Sequence, residues 1–384
     1  MGRRRTRHIA ILAETNHSFN RAVVQAVAEH AGTFGSWMLL VSPHDRQGRI
    51  RLPAGWNGDG IITRLDSRAM AAHVREAGVP AIDFDTVMMK ETWLGRVCTD
   101  DAERARLALE HFLDRGFEQF AYFAPRSNLY SPLRGCAFQA AVEAAGHPCA
   151  VYRSDRRRLS WGEQQRLVSQ WLSALPRPVA VFSADAQCGH LLREICQWTG
   201  IRVPDEVAIL AGSTDEMMCN VTSPNLSSVE LASHRVGHAA AALLEKLMNG
   251  ARVPRRPTFV KPLGIITRQS TDVMAAKDEE FVIAIRFIRE HASHGINVSD
   301  VLEEVAISRR SLEQRFRKTL GRSPAEEIRR VRLEKARDLL IHSDLSIAKV
   351  AVAAGFLNAV RLDIAFRKEF DQSPLRYRNL TRLG

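Results

Sequence analysis

From His8 to about Gln269, short apolar runs alternate with amphipathic stretches, the pattern of parallel strands joined by helices. The runs predict strands at Ile9–Ala13, Met38–Val41, Gly60–Thr63, Pro80–Phe84, Phe120–Phe123, Val179–Ser183 and Val207–Ala211. The stretches between them predict helices at Asn20–His30, Asp101–Arg115, Leu133–Ala145, Gln164–Leu175 and Ala186–Trp198. That many units suits two doubly wound parallel sheets better than one very wide sheet. A fresh strand after Asp114-Arg115-Gly116 marks the start of the second lobe, and an extended segment near Thr258–Ile266 closes the region.

Beyond Asp278 the period lengthens to 3.6 residues and stays so to the end, which predicts an all-helical tail. The expected organisation is a two-lobed α/β domain over 1–269, a polar linker over 270–280 and a helical domain over 281–384. In the tail Val301, Leu302, Val305 and Ile307 form one face, and Ser308 can cap a following helix. That helix turns Leu312 and Phe316 inward and leaves Arg309, Arg310, Gln314, Arg315 and Lys318 outward, with Ser311 near its start. A second unit runs from Ser346 through Gly355 to a helix starting at Asn358, with Leu362 and Phe366 inside and Ala359, Arg361, Arg367 and Lys368 facing out. Pro324–Leu340 bridges the two. Arg reads guanine and Gln reads adenine in the major groove, and two recognition helices side by side can enter successive grooves about 34 Å apart.

Composition narrows the classes. A chain of 384 residues with 45% apolar and 25% charged residues is an ordinary soluble protein of two or three domains. The net charge of +11 suits a polyanionic partner. The tail holds 20 Lys and Arg against 16 Asp and Glu, so placement rather than excess charge must carry DNA binding. All six cysteines precede residue 220 at irregular spacing, as reduced core residues would. The basic start leads into only the six residues His8–Ala13, too few for a signal-peptide core, and no run nears the roughly 18 apolar residues of a membrane span. The expected location is the cytoplasm, away from any membrane.

Residues 307–316 resemble the first recognition helix of the AraC family, and residues 347–356 and 366–378 resemble that family's C-terminal signature. Arg361-Leu362 departs from the usual Tyr-Phe: Leu362 keeps the apolar contact while Arg361 changes the polar one. The front region, with Arg21-Ala22-Val23-Val24-Gln25, Leu226-Ser227-Ser228-Val229 and Arg268-Gln269-Ser270-Thr271-Asp272, resembles the LacI-type, periplasmic-binding-protein-like sensors. Such a sensor ahead of an AraC-type tail is the arrangement of the xylose-operon regulators. The resemblance implies a homodimer that binds double-stranded DNA, senses a small sugar such as D-xylose between its lobes and works with RNA polymerase as an activator, without a cofactor.

By position, the resemblance assigns sugar contacts to Arg134 and Asp185. At the slot usually held by Asp this chain has Ser213, so Thr214 or Asp215 compensates or the ligand differs. Glu14, Asn16, Phe19 and Asn20 follow the first strand, at the edge where open α/β folds bind ligands. A sugar-acting enzyme is disfavoured, because no phosphate loop, nucleophile elbow or carboxylate pair stands in a suitable context. A solute-binding protein would lack the basic tail. Cys188, His190 and Cys196, or His234 with His238 at i,i+4, have zinc-ligand chemistry, but core cysteines and a solvated helix face explain them better. No metal is expected.

Overall fold

A computed structural model of the chain describes residues 6–34, 37–125, 132–152, 159–221, 223–273 and 278–382. The chain divides into two compact units, the first of residues 1–112 and 118–273, the second of residues 113–117 and 274–384. No helix among the described residues is long and apolar enough to cross a membrane.

The first unit contains two six-stranded sheets. Its first lobe begins with β1 (Arg7–Leu12), α1 (Ser18–Phe34), β2 (Trp37–Val41), β3 (Gly60–Thr63), α2 (Arg68–Glu76), β4 (Ala81–Asp83), β5 (Gly95–Thr99) and α3 (Asp101–Leu113). The second continues through β6 (Phe120–Phe123), α4 (Pro132–Ala144), β7 (Cys149–Tyr152), α5 (Trp161–Ala174), β8 (Val179–Ser183), α6 (Ala186–Trp198), β9 (Val207–Ala211), α7 (Glu216–Asn220) and β10 (Ser227–Glu230). The chain then returns to the first lobe for α8 (Ser233–Met248) and β11 (Thr258–Val260), and ends in the second with β12 (Gly264–Ile266).

Strand order in the first sheet is β11-β5-β4-β3-β1-β2, parallel throughout. The central strands are apolar on both sides because helices cover both faces. Alternate residues of β1 go to opposite cores: Ile9 and Ile11 meet Val23 and Val27 of α1 and Val236 and Leu244 of α8, while Ala10 and Leu12 meet Met70 and Val74 of α2. The second sheet is ordered β12-β10-β9-β8-β6-β7. It departs from the expected wholly parallel pattern at one edge, where β12 runs antiparallel to β10.

Three strands escape the sequence pattern. β5 carries Arg96, β10 opens on Ser227-Ser228, and β7 is a half-buried edge. Arg96 is neutralised by Asp83 of β4, which accepts from its Nη2 at 2.8 Å. Ser227 Oγ accepts from Arg268 N at 2.8 Å and lies within hydrogen-bond distance of Thr271 Oγ1, at 2.7 Å. Ser270 and Thr271, assigned by sequence to the linker, are fully buried against β10 and β9. Residues 274–277 of that linker lie outside the described residues. The cysteines are all free thiols, but Cys136 is exposed and Cys149 half-buried, so the expectation of six core residues is corrected at these two. Burial pushes the thiols of Cys98, Cys149 and Cys196 up to about 12, away from thiolate chemistry.

The second unit is helical: α9 (Glu279–His291), α10 (Val298–Glu303), α11 (Arg309–Leu320), α12 (Pro324–His342), α13 (Ile347–Ala353), α14 (Ala359–Phe370) and α15 (Pro374–Arg382). It has two cores. One joins α9, α10 and α11 through Phe281, Ile285, Val301, Leu312 and Phe316; the other joins α13 and α14 through Val350, Ala351, Leu362 and Phe366. α12 belongs to both, giving Ile328 to the first and Leu333, Ala336 and Leu340 to the second. Gly355 makes the turn after α13 at φ 84°, and a Cβ there would meet Ala292 O at 2.4 Å, so only glycine fits.

Candidate functional site

Strands of both lobes end at one cavity of about 650 Å³, a size usual for small-molecule sites. β1 delivers Glu14, β3 delivers Arg64 and Asp66, β4 delivers Asp85 and Thr86, β8 delivers Asp185, and β9 delivers Ser213 and Asp215. This is the carboxyl edge at which open α/β folds bind ligands. All eight residues singled out in the sequence for ligand contact, Glu14, Asn16, Phe19, Asn20, Arg134, Asp185, Ser213 and Asp215, line this cavity.

Several of them also hold the fold. Asp185 caps α6 by accepting from Cys188 N at 2.8 Å, and Asp215 caps α7 by accepting from Met218 N at 3.2 Å. Arg134 donates from Nε to Asp101 Oδ1 at 3.0 Å and from Nη1 to Ala184 O at 2.7 Å, so it is an internal cation rather than a surface one. Burial opposes its charge, but Asp101 outweighs burial and raises its pKa. Asn20 donates to Glu14 O at 2.7 Å, while its Oδ1 is buried without a hydrogen-bond partner. Thr214 is committed elsewhere, its hydroxyl 2.9 Å from Ser228 Oγ.

The sequence reading missed Arg51, Arg64, Asp85 and Arg104, which line the same cavity. Arg64 is paired with Asp85. Arg104 is 1% exposed, donates from Nη2 to Thr99 Oγ1 at 2.7 Å and leaves Nε without a hydrogen-bond partner. Burial, then Arg134, lowers its pKa to about 10. Arg64 and Asp85 directly follow β3 and Asp83-Phe84, so the strand-end rule that found Glu14 would have found them too. The lining holds five arginines (49, 51, 64, 104, 134) against five carboxylates (14, 66, 85, 185, 215). A wall so balanced, rich in both donors and acceptors, favours an uncharged polyhydroxy ligand over an anion.

In the helical unit Ser308 and Asn358 cap α11 and α14 by accepting from Ser311 N and Arg361 N. Arg309, Arg310, Gln314, Lys318, Asn358, Arg361 and Arg367 are exposed. Ser311 and Ala359 are half-buried. Arg315 is half-buried rather than outward: it pairs with Asp278 at the start of α9 and donates from Nε to Ser311 Oγ at 3.2 Å. Arg367 pairs with Asp363 at 2.7 Å. The basic run of α12 is partly internal as well, since Arg332 donates to Ala292 O and Ile296 O, and Arg330 to the buried Glu327.

Comparison with known proteins agrees with the two-part architecture. Residues 109–271 match the family model of a periplasmic binding protein-like domain, and residues 301–380 that of a helix-turn-helix domain. The xylose operon regulatory protein of Escherichia coli strain K12 is 29% identical over 380 residues, 97% of each chain. That of Haemophilus influenzae strain Rd is 27% identical over 384 residues, 96% of this chain and 97% of its own. The solved structure of the xylose-binding transcription activator xylR superposes with a TM-score of 0.64 at 26% identity, over 99% of each chain. The chain is therefore a transcription regulator in which a periplasmic-binding-protein-like sensor precedes an AraC-type helix-turn-helix domain.

Proposed function

We propose that the cavity binds a small neutral sugar, D-xylose or a related pentose, and that binding changes how α11 and α14 engage double-stranded DNA. The observation that carries this is the cavity wall: arginines balanced by carboxylates, with Asp185 and Asp215 able to accept from vicinal hydroxyls. The relatives that share the whole architecture are xylose regulators, which supports the same sugar class.

Arg310, Gln314 and Arg361 are the proposed base and phosphate contacts of the two recognition helices, flanked by Arg309, Lys318 and Arg367. The protein works in the cytoplasm as a homodimeric activator with RNA polymerase, and not as an enzyme. The chain passes between the two units at residues 112/113, 117/118 and 273/274. The first two passages flank the end of α3, whose first residue, Asp101, holds Arg134 at the cavity. A ligand that binds one lobe arrangement better than the other shifts that equilibrium by typically 1–3 kcal/mol.

The test is a thermal-shift screen against pentoses and hexoses, followed by DNA binding at matched salt with and without the responding sugar. A pentose raises the melting temperature selectively and changes DNA affinity about 5- to 150-fold. Asp185→Asn keeps the helix cap but weakens sugar binding at least tenfold, while DNA binding without sugar is unchanged. Failure of every sugar to bind, or normal binding by Asp185→Asn, would overturn the assignment.

A further inference from the structure

We propose that Glu29, His234 and His238 form a binding site for a borderline divalent metal ion of the zinc class. His234 and His238 are one turn apart on α8, and from sequence alone that spacing reads as a solvated face. The third group comes from another helix. Glu29 of α1 places Oε2 at 3.4 Å from His238 Nε2 and 3.8 Å from His234 Nδ1. The three donor atoms all lie within 4.8 Å of one another.

Zn–N and Zn–O bonds of about 2.0–2.2 Å in a tetrahedron put ligand atoms about 3.3–3.5 Å apart. The His238–Glu29 edge already has that length; the His234–Glu29 edge is 3.8 Å and the two imidazole nitrogens lie within 4.8 Å of each other, so rotation of the His234 ring closes the remainder. The carboxylate is oriented for the task, because its other oxygen, Oε1, accepts from Gln25 Nε2 at 3.1 Å. A hydrogen-bond donor behind a ligating carboxylate, fixing it in this way, is a regular part of metal sites. The backbone is fixed as well. α1 and α8 touch at Gly237, where a Cβ would meet Val23 O at 2.5 Å and Ala26 Cβ at 2.7 Å. Glu29 lies one turn beyond Ala26, on the seam that this contact sets.

Two imidazoles and one carboxylate select Zn(II), Co(II) or Ni(II) over Mg(II) and Ca(II), which prefer all-oxygen shells. Three protein ligands leave a fourth position to water. The side chains are 29–46% exposed, so the ion exchanges freely with solvent. The ion bridges α1, whose first turn carries Phe19 and Asn20 of the sugar cavity, to the first turn of α8, two residues after the cavity residue Leu231. Its occupancy therefore stiffens the sensor's first lobe independently of the sugar.

The experiment titrates metal-free full-length protein with Zn(II), and with Co(II) as a spectroscopic probe. One equivalent binds, the melting temperature rises, and Co(II) gives visible absorption of nitrogen and oxygen coordination without a thiolate band. His238→Ala abolishes the melting shift, and Glu29→Gln and His234→Ala weaken binding at least tenfold. Gln25→Ala weakens it about tenfold by removing the donor behind the carboxylate, an effect that a plain His–Glu ion pair does not produce. Cys136→Ser, which removes the exposed thiol, leaves binding unchanged. Should His238→Ala fold poorly without metal, Glu29→Gln decides. No melting shift in the parent protein, or a shift that survives both His238→Ala and Glu29→Gln, overturns the site.

Discussion

The two helix-turn-helix units are one design used twice, with residue n of the first matching residue n + 50 of the second. Leu312 and Phe316 match Leu362 and Phe366, all four fully buried. Ser308 and Asn358 are the caps, and Arg317-Lys318 and Arg367-Lys368 end both recognition helices. What differs is what lies around that frame. Arg310 and Gln314 of α11 are matched in α14 by Val360 and Ile364, 66% and 60% exposed. Behind the first helix, Glu327 is clamped by Arg322 and Arg330, which both reach Asp114. At the matching place behind the second is Tyr377, edge-on to Phe366 at 5.3 Å. At these matched positions the first half carries charged and hydrogen-bonding groups and the second apolar ones, although α14 keeps Arg361 exposed beside them. The scaffold is common to both, and the chemistry offered to DNA is not.

The largest effect expected tests whether the shared frame makes one cooperative unit. Phe316→Ala and Phe366→Ala each leave a cavity in a fully packed core and cost about 3–5 kcal/mol. Because α12 serves both cores, either substitution lowers the denaturant midpoint of the whole helical unit, monitored by helix signal. Separate transitions for the two halves would show that α12 does not couple them.

Next in size is the charge clamp. Glu327 is fully buried; burial opposes its charge, but the hydrogen bond and the charge of Arg330, with Arg322, hold its pKa down at about 2. A carboxyl depressed in the folded state contributes stability above its unfolded pKa of about 4.3, and that contribution is lost as pH falls through about 2. Glu327→Gln costs about 3 kcal/mol at neutral pH and flattens the acid limb of the stability curve. Tyr377→Phe, at the matching position, leaves that limb as it is. An unchanged acid limb in Glu327→Gln would break the contrast.

These halves differed in how much the sequence revealed. The inward pairs Leu312/Phe316 and Leu362/Phe366 and both caps were legible, because helical periodicity and capping are local. The Arg315–Asp278 and Arg330–Asp114 pairs were not, because their partners are 37 and more than 200 residues apart and nothing local tells a solvated arginine from a paired one. The sensor shows the same division. Buried strands such as Ile9–Leu12 announce themselves, but β5 with Arg96 and β10 with Ser227 look polar until Asp83 and Thr271 are seen to satisfy them. The strand-end rule found Glu14 and Asn20 and the family resemblance pointed to Asp185 and Ser213, while Arg104 sits on a helix and becomes a cavity residue only through the packing of α3.

A third, smaller effect addresses the helices' outward faces directly. Arg310→Ala and Gln314→Ala remove hydrogen-bonding groups and weaken specific DNA binding by about 1–3 kcal/mol each, with relaxed preference at one or two base pairs. Val360→Ala and Ile364→Ala remove only apolar contact and cost under about 1 kcal/mol, with no change in the salt slope. Binding titrations across a salt series separate the two. Equal losses and equal slopes for both helices would mean that the chemical difference between them is not used in recognition.

The smallest effect is at the ends of the two recognition helices. α11 ends on Gly321 at φ 69°, and α14 ends at the matching position on Asp371 at φ 58°. The left-handed conformation is free of steric cost for glycine but not for aspartate, whose short polar side chain only makes it tolerable. Asp371 is also an acid near the C-terminal end of a helix dipole, where negative charge is unfavourable. Asp371→Gly therefore stabilises the helical unit by up to about 1 kcal/mol, and Gly321→Asp destabilises it by a similar amount. Chemical denaturation of the two variants checks the pair. Because the turns after both helices continue into Ser-Pro and a new helix, opposite signs would show that the second unit carries a strained cap that the first has avoided. Destabilisation by both would mean that the Asp371 side chain does work at its turn that glycine cannot replace.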